Sequence, residues 1–161
     1  MSHLDSQDVI DFPGTPTAVV RVTDYPVAEM PQFMDPAFTA LGQAISAGVF
    51  VPVGPAFSRH EYVPTETASF EVGFPVTAAL HDAVTFGDYE VVPSELPAGR
   101  IAIAKHHGGY DKLGDSWGAF MQWVEQQGLT AGLPFWEAYD TEPTPEMDPD
   151  ELITGLAVPV S

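Results

Sequence analysis

Cysteine is absent from the 161 residues, which excludes a disulfide framework, a thiolate nucleophile and thiolate metal ligands. Asparagine is absent as well, so no N-glycosylation acceptor exists. Basic side chains are scarce: five Lys and Arg stand against 23 Asp and Glu, a formal net charge of -18. That field repels phosphate backbones and attracts cations, so nucleic acid is not an expected partner. Acidity also serves solubility, so charge alone identifies no ligand. No apolar run is long enough to cross a bilayer, and Met1 to Asp11 lacks a basic, apolar leader. The expectation is a cytoplasmic protein with no membrane partner. Apolar residues are plentiful at 45%, enough to fill the core of a single domain.

Periodicity then divides the chain. Thr17 to Thr23 is a β-branched run that predicts a strand, and Asp35 to Ala47 a helix with Asp35 as N-cap, Pro36 at the first helical position and Gly48 at its end. Gly54 to Tyr62 and Ala68 to Val76 read as strands separated by the turn-rich Pro64 to Thr67. After a connection around Ala79 to Asp88 come strands over Tyr89 to Leu96 and Gly99 to His107. A helix over Asp111 to Gln127 follows, with Leu113, Trp117, Phe120, Met121 and Val124 on one face. Gly132 to Thr141 and Leu152 to Val160 supply two last strands around a Pro- and acid-rich loop, Glu142 to Glu151. The order β-α-β-β occurs twice, over about 12–79 and 88–161, and Phe74-Pro75-Val76 echoes Val158-Pro159-Val160. The expected fold is α+β: one domain over 12–161 behind an N-terminal arm of residues 1–11, with both helices on one face of a curved antiparallel sheet and a ligand cleft on the other.

The strand from Pro134 to Thr141 carries the most chemistry. Period two places Phe135, Glu137, Tyr139 and Thr141 on one face and Trp136 and Ala138 on the other. With Trp136 and Ala138 toward the helices, Glu137 points into the cleft, where burial penalises its charge unless a cation or hydrogen bonds compensate. The strand alone favours a solvated sheet-face carboxylate, because acids on a strand face are usually exposed. By repeat symmetry Ser58, His60 and Tyr62 would line the same cleft. An aromatic cation would gain roughly 0.5 to 2 kcal/mol per cation-π contact, and on the order of 4 kcal/mol of Coulomb attraction to a carboxylate before desolvation. Other motifs carry less. His106 and His107 are adjacent on a strand and point to opposite faces, a poor metal site. Gly114-Asp115-Ser116 falls within a helix and reads as a surface serine, not a nucleophile elbow. Gly108-Gly109 lacks the rest of a phosphate loop. No cofactor or metal is indicated.

Leu96-Pro97-Ala98-Gly99-Arg100, His106-His107-Gly108-Gly109-Tyr110-Asp111-Lys112-Leu113, Phe70 to Val76 and Pro134-Phe135-Trp136-Glu137-Ala138-Tyr139 form an ordered set. Together they make the chain, from about Phe12 to Val160, resemble the gyrase-inhibitor-like (GyrI-like) family, also found as effector-binding domains of multidrug-sensing and AraC-type regulators. The resemblance implies duplicated SHS2-type β-α-β-β units and a ligand cleft. It also implies that the glutamate of the Trp-Glu-x-Tyr motif, here Glu137, contacts lipophilic cations. Relatives often have tyrosine at the position of His60, and only Met1 to Asp11 precedes the domain, too short for a helix-turn-helix. The expected function is a stand-alone binding protein for hydrophobic, polyaromatic cations. The alternatives are a hydrolase of cyclopropane-containing DNA-alkylating compounds, with Glu137 as acid or base and Tyr139 as its partner, and an inhibitor that partners DNA gyrase.

Overall fold

The structure is a computed structural model and describes residues 4–140, 148 and 151–161. The chain divides into a continuous unit, Pro13–Ala98, and a split unit made of Met1–Phe12 with Gly99–Ser161. The continuous unit holds β2 (Thr15–Pro26), α1 (Met30–Ser46), β3 (Phe57–His60), β4 (Thr67–Pro75), β5 (Val84–Phe86) and β6 (Tyr89–Leu96). Its strands lie in the order β3-β4-β2-β6-β5, with antiparallel pairing throughout. The split unit holds β1 (Leu4–Phe12), β7 (Gly99–His107), α2 (Leu113–Gln126), β8 (Phe135–Tyr139) and β9 (Ile153–Pro159), in the antiparallel order β1-β7-β9-β8. The fold is α+β, and the repeat is visible inside each unit. β2-α1-β3-β4 and β7-α2-β8-β9 follow the same chain order, and in both the last strand pairs between the other two.

In the continuous unit α1 lays Phe33, Ala37, Leu41 and Ala44 on the sheet, against Ala18, Val20, Phe70 and Val72. The spacing i, i+4, i+8, i+11 is one helical stripe, and each fully buried large side chain contributes roughly 1.5 to 3 kcal/mol. The helix begins at Met30, earlier than the Asp35-Pro36 signal predicts. A proline already stands in its first turn, where no donor is lost, and Pro36 is carried inside the helix. Asp35 is therefore no N-cap; its carbonyl accepts the Thr39 hydroxyl at 2.9 Å.

The sheet's other face is held by charge. Glu71 is 1% exposed and faces away from the core residues Phe70 and Val72. One oxygen accepts from Arg21 Nε and Nη2, both at 2.6 Å, and the other from Arg59 Nη1 at 3.0 Å and the Ser94 hydroxyl at 2.8 Å. Two of the chain's five basic residues thus meet one buried acid; its loss would take from Arg21 the carboxylate it pairs with and leave Arg59 with Glu61 at 3.4 Å.

In the split unit the core lies between α2 and the sheet: Phe120 and Val124 meet Ala102, Ala104, Leu156 and Val158. Residues 1–11 were expected to form an arm, yet from Leu4 they are a strand paired with β7 through Phe12↔Gly99 and Leu4↔His106. The segment reads as acidic because Asp5, Asp8 and Asp11 are exposed, while Leu4 is buried and Val9 packs against the core. The Pro- and acid-rich loop and Thr141 lie largely outside the described residues.

Candidate functional site

β8 positions the site through its register with β9. Glu137 stands directly opposite Leu156, which belongs to the core beneath α2, and directly opposed residues share a face. Phe135, Glu137 and Tyr139 therefore face α2. This corrects the expectation that Trp136 and Ala138 point to the helix and Glu137 away from it. Trp136 is instead buried on the far face, where Phe12 of β1 lies with its ring centroid 5.8 Å away. Both faces of the sheet are covered here, so alternation fixes which residues share a face but not which face meets the helix.

Around Glu137 the aromatic side chains are close and partly accessible. The Trp117 indole N–H, from α2, donates to Oε1 at 2.6 Å, and the Tyr139 hydroxyl donates to Oε2 at a long 3.4 Å. Trp117 stands edge-on to Phe135 with centroids 5.1 Å apart. Trp117, Phe135, Glu137 and Tyr139 are all half-buried. Burial pushes the Glu137 carboxyl above the usual range; the hydrogen bonds from Trp117 and Tyr139 and the neighbouring His106 pull in the other direction without cancelling it. The result is an acid poised to gain from a positive partner, with two fixed donors and an aromatic wall.

Trp117 was legible only as a core position of its helix; that its N–H serves Glu137 follows from the face that β8 turns to α2. Ser116 was read as a surface serine and is 3% exposed. Its hydroxyl lies 2.6 Å from Nδ1 of His106, a fully buried side chain whose Nε2 lies 2.9 Å from the Gly109 carbonyl. His107 points the other way and meets Asp5 at 2.9 Å. Among the described residues no group of His, Asp or Glu is arranged to hold a metal ion, and no helix is long and apolar enough to cross a membrane.

The other three candidates sit in the continuous unit. Ser58 and His60, on β3, oppose Val72 and Phe70 and are buried on the α1 side. His60 stacks on Phe70 with centroids 5.5 Å apart, and desolvation lowers its pKa to about 4, so it is neutral at neutral pH. Tyr62 does not join them, because β3 ends at His60. The Tyr62 hydroxyl donates to Asp24 Oδ1 at 3.0 Å and accepts from Ser69 at 3.3 Å, fastening the end of β2 to the start of β4. A groove of about 440 Å³ between α1 and the β5-β6 hairpin, lined by Asp35, Pro36, Phe86 and Tyr89, contains none of the six candidates.

Two antiparallel units with one helix each, and a half-buried carboxylate inside an aromatic wall, define a small-molecule-binding domain. The chain belongs to the GyrI-like small molecule binding domain family, whose model matches residues 9–161. Solved structures agree on the fold. The C-terminal domain of EcmrR superposes with a TM-score of 0.74 at 18% identity, over 97% of each chain. EcmrR in its DNA complex gives the same score at 19% identity, and there this chain spans 59% of the longer protein. A hydrolase from Listeria innocua matches at 0.65 and 16% identity, over 97% of this chain and 92% of that one. SAV2435 bound to tetraphenylphosphonium matches at 0.60 and 12%, over 98% and 94%.

Proposed function

We propose that this chain binds hydrophobic, aromatic, cationic small molecules, a multidrug-type specificity, with Glu137 as the counter-charge. The observation that carries the reading is a carboxylate half-buried among Trp117, Phe135 and Tyr139, held by two donors and, among the described residues, with no basic side chain hydrogen-bonded to it. A cation replaces the missing positive charge and the rings supply contact area that tolerates varied shapes. The binding of tetraphenylphosphonium by SAV2435, a lipophilic cation on the same fold, supports it.

Titration calorimetry with tetraphenylphosphonium and the neutral triphenylphosphine oxide tests the reading. Glu137→Gln is expected to weaken the cation by about tenfold or more, as for a charge-assisted contact, and to leave the neutral compound nearly unchanged. Wild-type affinity for the cation rises with pH as the carboxyl, which holds its proton above the usual glutamate range, ionises; the variant is flat. Equal losses for both compounds would reject the assignment.

A second reading is hydrolysis of cyclopropane-containing alkylating compounds. It is favoured by the raised proton affinity of Glu137, which suits a general acid beside the Tyr139 hydroxyl. Mass spectrometry for the water adduct decides it; product no faster than in buffer rejects turnover.

A further inference from the structure

The Trp117 N–H can serve Glu137 only if the first turn of α2 is held in place, and that turn has no ordinary cap. The residue before the helix is Lys112, which makes no side-chain capping bond and has no acceptor to offer one. The approach to the helix passes through Gly108, at φ +122, then Gly109 and a short 3-10 turn over Tyr110–Lys112. Such a segment has little intrinsic stiffness.

His106 supplies the missing restraint. It lies at the end of β7, on the face that carries Ala102 and Ala104 into the core. The Gly109 carbonyl can only accept, so the Nε2 of His106 bears the hydrogen and donates at 2.9 Å. The Nδ1 of the same ring lies 2.6 Å from the Ser116 hydroxyl, within hydrogen-bond distance. One imidazole therefore ties the loop before α2 and the helix itself to the sheet. Ser116 is the residue immediately before Trp117, whose indole reaches Glu137 at 2.6 Å. The sequence from sheet to site is His106, Ser116, Trp117, Glu137.

We propose that His106 is a positioning residue for the cation site, acting through Ser116 to hold the Trp117 N–H on the Glu137 carboxylate. The consequence for ligand binding rests on the role proposed for Glu137, whereas the positioning itself does not. His106 and Ser116 touch no ligand in this scheme. Their function is to keep one donor on one oxygen, so that the charge of Glu137 is presented in a fixed direction.

Two-dimensional 15N–1H spectra of the whole chain read the geometry without any ligand. The three tryptophans, Trp117, Trp123 and Trp136, each give one indole signal, and Trp117→Phe assigns the relevant one. In Ser116→Ala, and in His106→Leu, the Trp117 signal is expected to move toward the position of a free indole while those of Trp123 and Trp136 stay. Tetraphenylphosphonium affinity is expected to fall about fivefold, the effect of one misplaced hydrogen bond, with triphenylphosphine oxide unaffected. Ser116→Thr, which keeps the hydroxyl, restores both. If His106→Leu fails to fold, Ser116→Ala decides alone. A Trp117 signal that stays in place in folded Ser116→Ala overturns the proposal. If that signal moves while Glu137→Gln leaves cation binding unchanged, the positioning stands and the binding role of Glu137 falls.

Discussion

At the scale of single residues, burial acts in opposite senses on two titratable groups. His60 is buried against Phe70, and the loss of water lowers its pKa from 6.5 to about 4. Between those values the unfolded chain binds a proton that the folded chain does not, so stability is complete above pH 6.5 and declines as the pH falls toward 4. The decline attributable to His60 is on the order of 3 kcal/mol. Urea midpoints measured across that interval should fall more steeply for the wild type than for His60→Gln; parallel curves would show that His60 is not responsible. Glu137 has the reverse sign. Its raised proton affinity means that the fold prefers the neutral acid, so the ionised form that the proposed cation binding requires is held at a cost in stability. His60 and Glu137 could be picked out of the sequence as residue types on strands. Their surroundings could not, because each depends on a partner that is distant in the chain: Phe70 for one, Trp117 for the other.

Elements were legible to the extent that one local signal governed them. Tyr89–Leu96 and Gly99–His107 form strands with the predicted bounds, where alternation and flanking turn residues agree. The misses come from competition between signals. Asp35-Pro36 looks like a helix start, yet the proline of the first turn at Met30 serves that purpose and the buried stripe from Phe33 onward outweighs the cost of Pro36. β5 has only three residues, with partners on β6 alone, and was read as a connection. The face of β8 was inverted because Trp136 was expected to find its cover on the helix side, whereas Phe12 at the end of β1 lies beside it on the other face. Gly73 shows what elements demand of single positions. It sits on β4 between β2 and β3, and a Cβ there would lie 2.0 Å from the Ala18 carbonyl oxygen and 2.8 Å from the Val19 Cα. Backbone on a central strand cannot rotate away, so Gly73→Ala is expected to cost about 1 to 3 kcal/mol or more, read as a lower urea midpoint. Unchanged stability would mean that β2 and β4 can part without loss.

For the molecule as a whole, the balance of 23 acidic to five basic residues means that folding gathers negative charge. Arg21 and Arg59 are engaged by Glu71, and Lys105 by Asp140. Added salt screens the remaining repulsion, with a Debye length near 10 Å at about 0.1 M, so the thermal midpoint is expected to rise with ionic strength. A midpoint that falls would show the ion pairs, not the excess acid, to be in control. For the cation binding proposed above, the same series of salt concentrations separates two sources of affinity. Attraction to the general field fades with screening, whereas attraction to the half-buried Glu137 persists. The acidity and the α+β repeat were legible from composition and pattern. The division into a continuous and a split unit was not, since it depends on Leu4–Phe12 pairing with a strand far along the chain.

That pairing has a consequence for synthesis on the ribosome. The strand Leu4–Phe12 has its hydrogen-bonding partner in Gly99–His107, so it must wait until the whole of Pro13–Ala98 has been made. Meanwhile the continuous unit can close around contacts of its own, while β1 remains an unpaired strand. The exposed Asp5, Asp8 and Asp11 then keep a strand without a sheet from joining another copy of itself.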